Sequence, residues 1–174
     1  MTNRQLSLCL GLAVAGLFAV LTSSSSPVAA EDGAKKVAAK ASDAAQEARE
    51  KAFIETLSNA VMVGKWRLTK DGELGRELGD KYTLGAVKKI KGDRWTIEAR
   101  IEYGEKDVRI PVPVQVTWAD DTPVISVERL PLPGLGTYTA RVLVHRDHYA
   151  GTWFGKDYGG LMSGVIEKAK PKTP

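Results

Sequence analysis

Reactive side chains are scarce in this chain. Its 174 residues include a single cysteine, Cys9, and two histidines, His145 and His148. One thiol cannot close an internal disulfide, and Cys9 lies in an apolar N-terminal run. Nothing downstream of it can supply a thiolate nucleophile or a thiolate metal ligand. A large excess of charge of one sign is missing too. The 25 lysines and arginines are nearly balanced by 21 acidic residues, and the net +4 is spread along the chain. Nucleic-acid binding calls for a concentrated basic face, yet only Lys168, Lys170 and Lys172 cluster. Nucleic acid is therefore not an expected partner. Long apolar runs are confined to one, residues 6–21.

That run sits in a three-part pattern. Residues 1–5 carry one positive charge, Arg4; residues 6–21 are uncharged; residues 22–30 are small or polar and end Val28-Ala29-Ala30 before Glu31. This is the arrangement of a secretory signal peptide, cut after Ala30, and the run is short for a bilayer span. The expected location is extracytoplasmic, periplasmic or secreted. Four segments are expected: the signal peptide over 1–30, an alanine-rich charged helix or spacer over 31–60, a β domain over 61–167, and a basic disordered tail over 168–174. With no disulfide available, the domain has only core burial to hold it together.

Residues 31–57 read as helix because they are rich in alanine, free of proline and mixed in charge. The face formed by Val37, Ala41, Ala44 and Ala48 has helical spacing but little area to bury. Only Phe53, Ile54 and Leu57 offer anchoring surface. The expectation is a loosely held helix pinned at its C-terminal end, with membrane-proximal contact through the helix or the tail, or a partner-binding coil, as its role.

From Val61 the hydrophobic period changes to two. Trp95, Ile97, Ala99, Ile101 and Tyr103 alternate with polar residues, and Val108, Ile110, Val112, Val114, Val116 and Trp118 alternate with Asp107, Arg109, Pro111, Pro113, Gln115 and Thr117. Side chains on a strand point alternately to opposite faces, so each segment has one dry face and one wet face. Shorter strands follow from Met62, Trp66 and Leu68, from Tyr82, Leu84 and Ala86, from Ile125 and Val127, from Tyr138 to Val144, and from residues 149–154 and 161–166. About eight short strands with hairpin-length links predict a mainly β fold, a single antiparallel up-and-down β-barrel whose closure removes exposed edges. Two longer connections are expected, over 69–81 and 130–136. Pro111 and Pro113 each lack an amide donor on the same side of one strand, which predicts a seam, bulge or gap there. Such a gap either protects an edge or admits a ligand.

Gly64-Lys65-Trp66 at the first strand resembles the Gly-x-Trp signature that opens lipocalin and wider calycin barrels. That resemblance implies an eight-stranded barrel, a tryptophan closing one end, and a cavity for a small apolar ligand. Two departures stand beside it: the last expected strand holds no arginine to pack on the tryptophan, and no Thr-Asp-Tyr motif occurs in the middle of the chain.

Chemistry is harder to place. His145, Asp147 and His148 are the only metal-ligand cluster, and they read first as a polar turn beside Arg146. No nucleophile has a flanking base and no phosphate loop is present, so neither catalysis nor a cofactor is expected. The expected function is binding of a small apolar molecule, with a solid-cored envelope interaction module as the alternative; the sequence points to no particular protein partner. The expected binding residues lie inside the barrel and at its lip: Trp66, Trp95, Tyr103, Trp118, Leu132, Leu135, Tyr138 and Trp153.

Overall fold

The computed structural model describes residues 28–103, 105–132 and 136–169. All but three residues of the expected leader, the lip residue Leu135 and most of the expected tail thus lie outside the described residues. One helix, α1 (Val28–Leu57), precedes nine strands: β1 (Ala60–Lys70), β2 (Glu73–Leu74), β3 (Leu78–Lys91), β4 (Arg94–Tyr103), β5 (Lys106–Ala119), β6 (Thr122–Leu132), β7 (Gly136–His145), β8 (His148–Phe154) and β9 (Gly159–Lys168). The chain divides into two compact units, Met1–Lys40 and Ala41–Pro174. In the first, the chain is helical from Val28 and the side chains of residues 35–40 are exposed. The second holds the C-terminal turns of α1 and every strand.

β1 and β3 to β9 pair in chain order, each antiparallel to its neighbour, and β9 pairs back to β1 from Ala60↔Lys168 to Thr69↔Gly159. The result is a closed eight-stranded up-and-down barrel, with the short β2 folded back on the end of β1. The alternation read from the sequence sets its inside. Trp95, Ile97, Val112, Val114, Val116, Ile125, Val142 and Val144 are all buried. Gly72, Gly92, Asp120 and Arg146 take positive φ at the hairpin tips, the backbone that tight antiparallel links require.

Closure brings β1 and β9 unusually near each other. Gly64 pairs with Gly164, and a Cβ on Gly64 would overlap both the Tyr149 hydroxyl and the Ser163 carbonyl oxygen. Tyr149, from β8, packs against both glycines of this pair. The glycine of the Gly-x-Trp triplet is thus required by a tyrosine two strands away.

Neither expected long connection is a loop throughout. The β1–β2 hairpin occupies part of residues 69–81, and β3 starts at Leu78. Within residues 130–136, β6 continues to Leu132 through a bulge between Val127 and Leu130, with Arg129 at φ 47°. Pro131 pairs with Thr137 of β7, and its missing donor is harmless because the β5–β6 ladder has already ended, at Gln115↔Ser126.

That early end is the gap anticipated from Pro111 and Pro113. Their ladder with β4 runs unbroken through Glu98↔Pro111 and Thr96↔Pro113, so the absent amides face β6. β5 pairs with β6 only from Gln115 to Ala119, and the two strands part toward the opposite end of the barrel.

The end of α1 closes one end of the barrel. Phe53 and Leu57 are one turn apart and share a face; they are 3% and 0% exposed. Phe53 meets Trp95 and Trp118 edge to face, with ring centroids 5.2 and 6.0 Å away. Ile54, read as a third anchor, instead turns outward and is exposed. Polar links fix the rest of the helix end. Glu50 pairs with Lys89 of β3 at 2.5 Å, the Arg49 guanidinium stands 5.9 Å from the Trp118 ring, and Lys168 donates to the Glu55 carbonyl. Asn59, at φ 54°, then reverses the chain into β1, the usual service of asparagine just past a helix end.

Candidate ligand cavity

Above the Phe53–Leu57 floor the barrel is hollow. A cavity of about 700 Å³ runs from Leu57 to the opposite end. Protein interiors are normally packed without voids, and this one equals the liquid volume of more than twenty waters at ~30 Å³ each. It is far too large for a packing defect.

The lining changes along its length. Near the floor it is aliphatic: Leu57, Leu84, Val112, Val114, Ile125 and Val142. Toward the other end it becomes aromatic, with Trp66, Tyr138, Trp153 and Tyr158 among Leu68, Leu130 and Leu132. The four rings interlock. Trp66 and Trp153 stand edge to face at 5.5 Å, Tyr158 meets Trp153 at 5.8 Å, and the Tyr138 and Tyr158 hydroxyls are hydrogen-bonded at 2.6 Å. The Trp153 indole N–H is buried without an acceptor and lies among ring faces instead. Tyr158 comes from the β8–β9 turn, which is tied by the Gly155 amide to the Tyr158 carbonyl at 2.7 Å. This aromatic end is the mouth: Leu68 and Tyr158 are exposed there. In the resemblance, the tryptophan of Gly-x-Trp closes an end. Here Trp66 borders the mouth, and helix residues make the closed end.

Among the described residues, no Asp, Glu, Lys, Arg or His lines the cavity. One carboxylate is buried inside the barrel outside that lining. Asp80, on the inner face of β3, is 6% exposed. It accepts hydrogen bonds from Tyr82 at 2.9 Å and from Tyr149 at 3.2 Å. Burial pushes its carboxyl above the ordinary carboxylate range, although both phenols pull the other way. Burial, and then the Asp80 charge, push the Tyr149 phenol upward. A shared proton-rich cluster therefore braces β1, β3 and β8 where the glycine pair lets Tyr149 reach across.

Of the residues expected from sequence to bind ligand, Trp66, Leu132, Tyr138 and Trp153 line the cavity. Trp95 and Trp118 do not: they lie beneath the floor, packed on Phe53. Tyr103 ends β4 opposite Lys106, and only its backbone is described. His145 and His148 sit opposite each other at the β7–β8 turn, but face different groups. His148 Nδ1 lies 2.7 Å from Asp147 and His145 Nδ1 3.4 Å from the Thr122 hydroxyl. No set of three or more potential metal ligands converges among the described residues. Sequence reasoning missed Tyr158, hidden in a glycine-rich turn, and Leu57 as a lining residue. It also missed Asp80, although Leu78, Asp80, Tyr82 and Leu84 share a period of two that puts a carboxylate on the dry face.

No family model, no curated protein and no solved structure matches this chain.

Proposed function

We propose that this protein is an extracytoplasmic, lipocalin-like carrier that holds a small apolar molecule inside its barrel and performs no chemistry on it. The observation that carries this reading is the hollow chamber above the helix floor, with no charged side chain in its described lining. Ligand sites are typically concave, mostly apolar and roughly 300–1,000 Å³ in volume, and this cavity falls within that range. An empty apolar chamber gives up contacts that a solid core would make, so an occupant is the simplest reason to keep it. The alternative of an interaction module with a solid core is disfavoured by the same void. The leader-like pattern of residues 1–30 supports a location outside the cytoplasm.

The test is to fill the chamber. Ala99 and Ala140 both line it. In an Ala99→Phe, Ala140→Phe variant, binding of the neutral dye N-phenyl-1-naphthylamine should be lost while thermal stability is retained or raised. Dye binding that survives this change, or wild-type protein that binds no apolar probe, overturns the proposal.

A further inference from the structure

The cavity has direction as well as volume. Four of its five aromatic side chains, Trp66, Tyr138, Trp153 and Tyr158, sit at the mouth, its deep walls are largely aliphatic, and its floor is not part of the sheet. The floor is Leu57, the last residue of α1, fully buried and held from beneath by Phe53 on Trp95 and Trp118. Resting on the carrier reading above, we propose that the ligand is an aliphatic chain inserted tail first, and that Leu57 sets its length.

Three observations define the ligand class. The deep wall is mostly methyl and methylene groups, with one ring, Tyr82 beside Met62, whose hydroxyl is held by Asp80, so it suits a flexible hydrocarbon better than a planar ring system. No ionisable acid or base other than tyrosine lines the chamber among the described residues. A charged group drawn into it would lose its hydration without a partner, so any head group stays at the mouth. There the Tyr138–Tyr158 hydroxyl pair is the exposed polar feature. Finally, the chamber ends against one residue.

The depth follows from strand geometry. Lining residues on β1 run from Met62 to Leu68, six steps of about 3.3 Å. With strands tilted ~40° from the barrel axis, that is about 15 Å of depth. A zigzag of ~1.5 Å carbon–carbon bonds advances roughly 1.3 Å per carbon, so about a dozen carbons span floor to mouth.

The experiment uses the full chain and the n-alkanol series from hexanol to octadecanol, read by displacement of N-phenyl-1-naphthylamine. Wild-type affinity should rise about fourfold per methylene and then level off near dodecanol, where further carbons emerge into water. Leu57→Ala should move the break to longer chains by one or two carbons, and Leu57→Phe to shorter ones. Ile101→Ala, which widens the wall near the mouth without deepening the chamber, should leave the break in place. An affinity that climbs without a break to octadecanol overturns the ruler but leaves the carrier reading standing. So does a break that the Leu57 variants do not move, or perylene outcompeting every alkanol. Should the Leu57 variants fail to fold, the wild-type series alone decides. Failure of every alkanol and of the dye to bind would overturn the carrier reading itself.

Discussion

Replacing Tyr149 by phenylalanine removes one oxygen from a nearly sealed site and tests how the barrel tolerates its buried carboxylate. The hydroxyl donates to Asp80 at 3.2 Å, long for an O–H···O bond. A hydrogen bond to a charged group contributes about 1.5–3 kcal/mol, and this length argues for the lower half, about 2 kcal/mol. The ring still covers the Gly64–Gly164 pair, so no cavity term is added. For a unit of this size ~2 kcal/mol corresponds to a fall in Tm of roughly 6–10 °C. The loss should depend on pH. Burial raises the Asp80 pKa above its ordinary 3.8, so the folded state holds this proton more tightly than the unfolded chain does. Ionised Asp80 therefore costs stability at neutral pH, and the cost is relieved as pH falls through the raised pKa toward 3.8. Once Asp80 is protonated, Tyr149 supplies only a neutral hydrogen bond, about 1 kcal/mol. Urea unfolding followed by tryptophan fluorescence should show a destabilisation near 2 kcal/mol at neutral pH that shrinks by about half in mild acid. A destabilisation that stays constant, or grows as pH falls, would refute a buried carboxylate dependent on this donor.

Two more predictions concern the sheet. Gly64→Ala forces a Cβ into Tyr149 and into backbone that cannot yield cheaply, so it should cost about 3 kcal/mol, the upper end for overpacking; Gly79→Ala, where a Cβ meets nothing within 4 Å, should change the denaturation midpoint little. Pro111→Val with Pro113→Val restores two donors on the β6 side; at about 1 kcal/mol per ladder bond, stopped-flow dye exchange should slow by up to roughly thirtyfold, and an unchanged rate would show that ligands do not pass between β5 and β6.

Much of this architecture could be read from the residues because its physics is local. Arg94–Tyr103 and Lys106–Ala119 alternate without a slip, and period two leaves no choice of face. Phe53 and Leu57 could be picked out as anchors, with Ile54, because they are the large apolar residues at the end of an alanine-rich helix; only the one-turn spacing of Phe53 and Leu57 separates them from the exposed Ile54. What failed to show was set at long range. Leu130 and Leu132 looked like loop because Pro131 and Gly134 surround them, and only the unpaired flank of β6 makes proline tolerable there. Asp80 falls inside the connection expected over 69–81, and its partner Tyr149 is 69 residues away. Parity puts Trp95 and Trp118 on the inner face, but parity does not say how deep along the barrel a side chain lies. Their place below the cavity depends on where the helix stops.

The parting of β5 from β6 gives the barrel a grain. The other junctions of the hoop carry six to ten register pairs and this one five, so opening costs least along this single stave. Any swelling of the chamber around a bulky guest would be absorbed there, while the rest of the hoop keeps its girth. A foreign strand meets poor purchase at the same slit, since Pro111 and Pro113 offer it no amide to grip. One pair of imino acids thus leaves this seam yielding from within and closed to its neighbours.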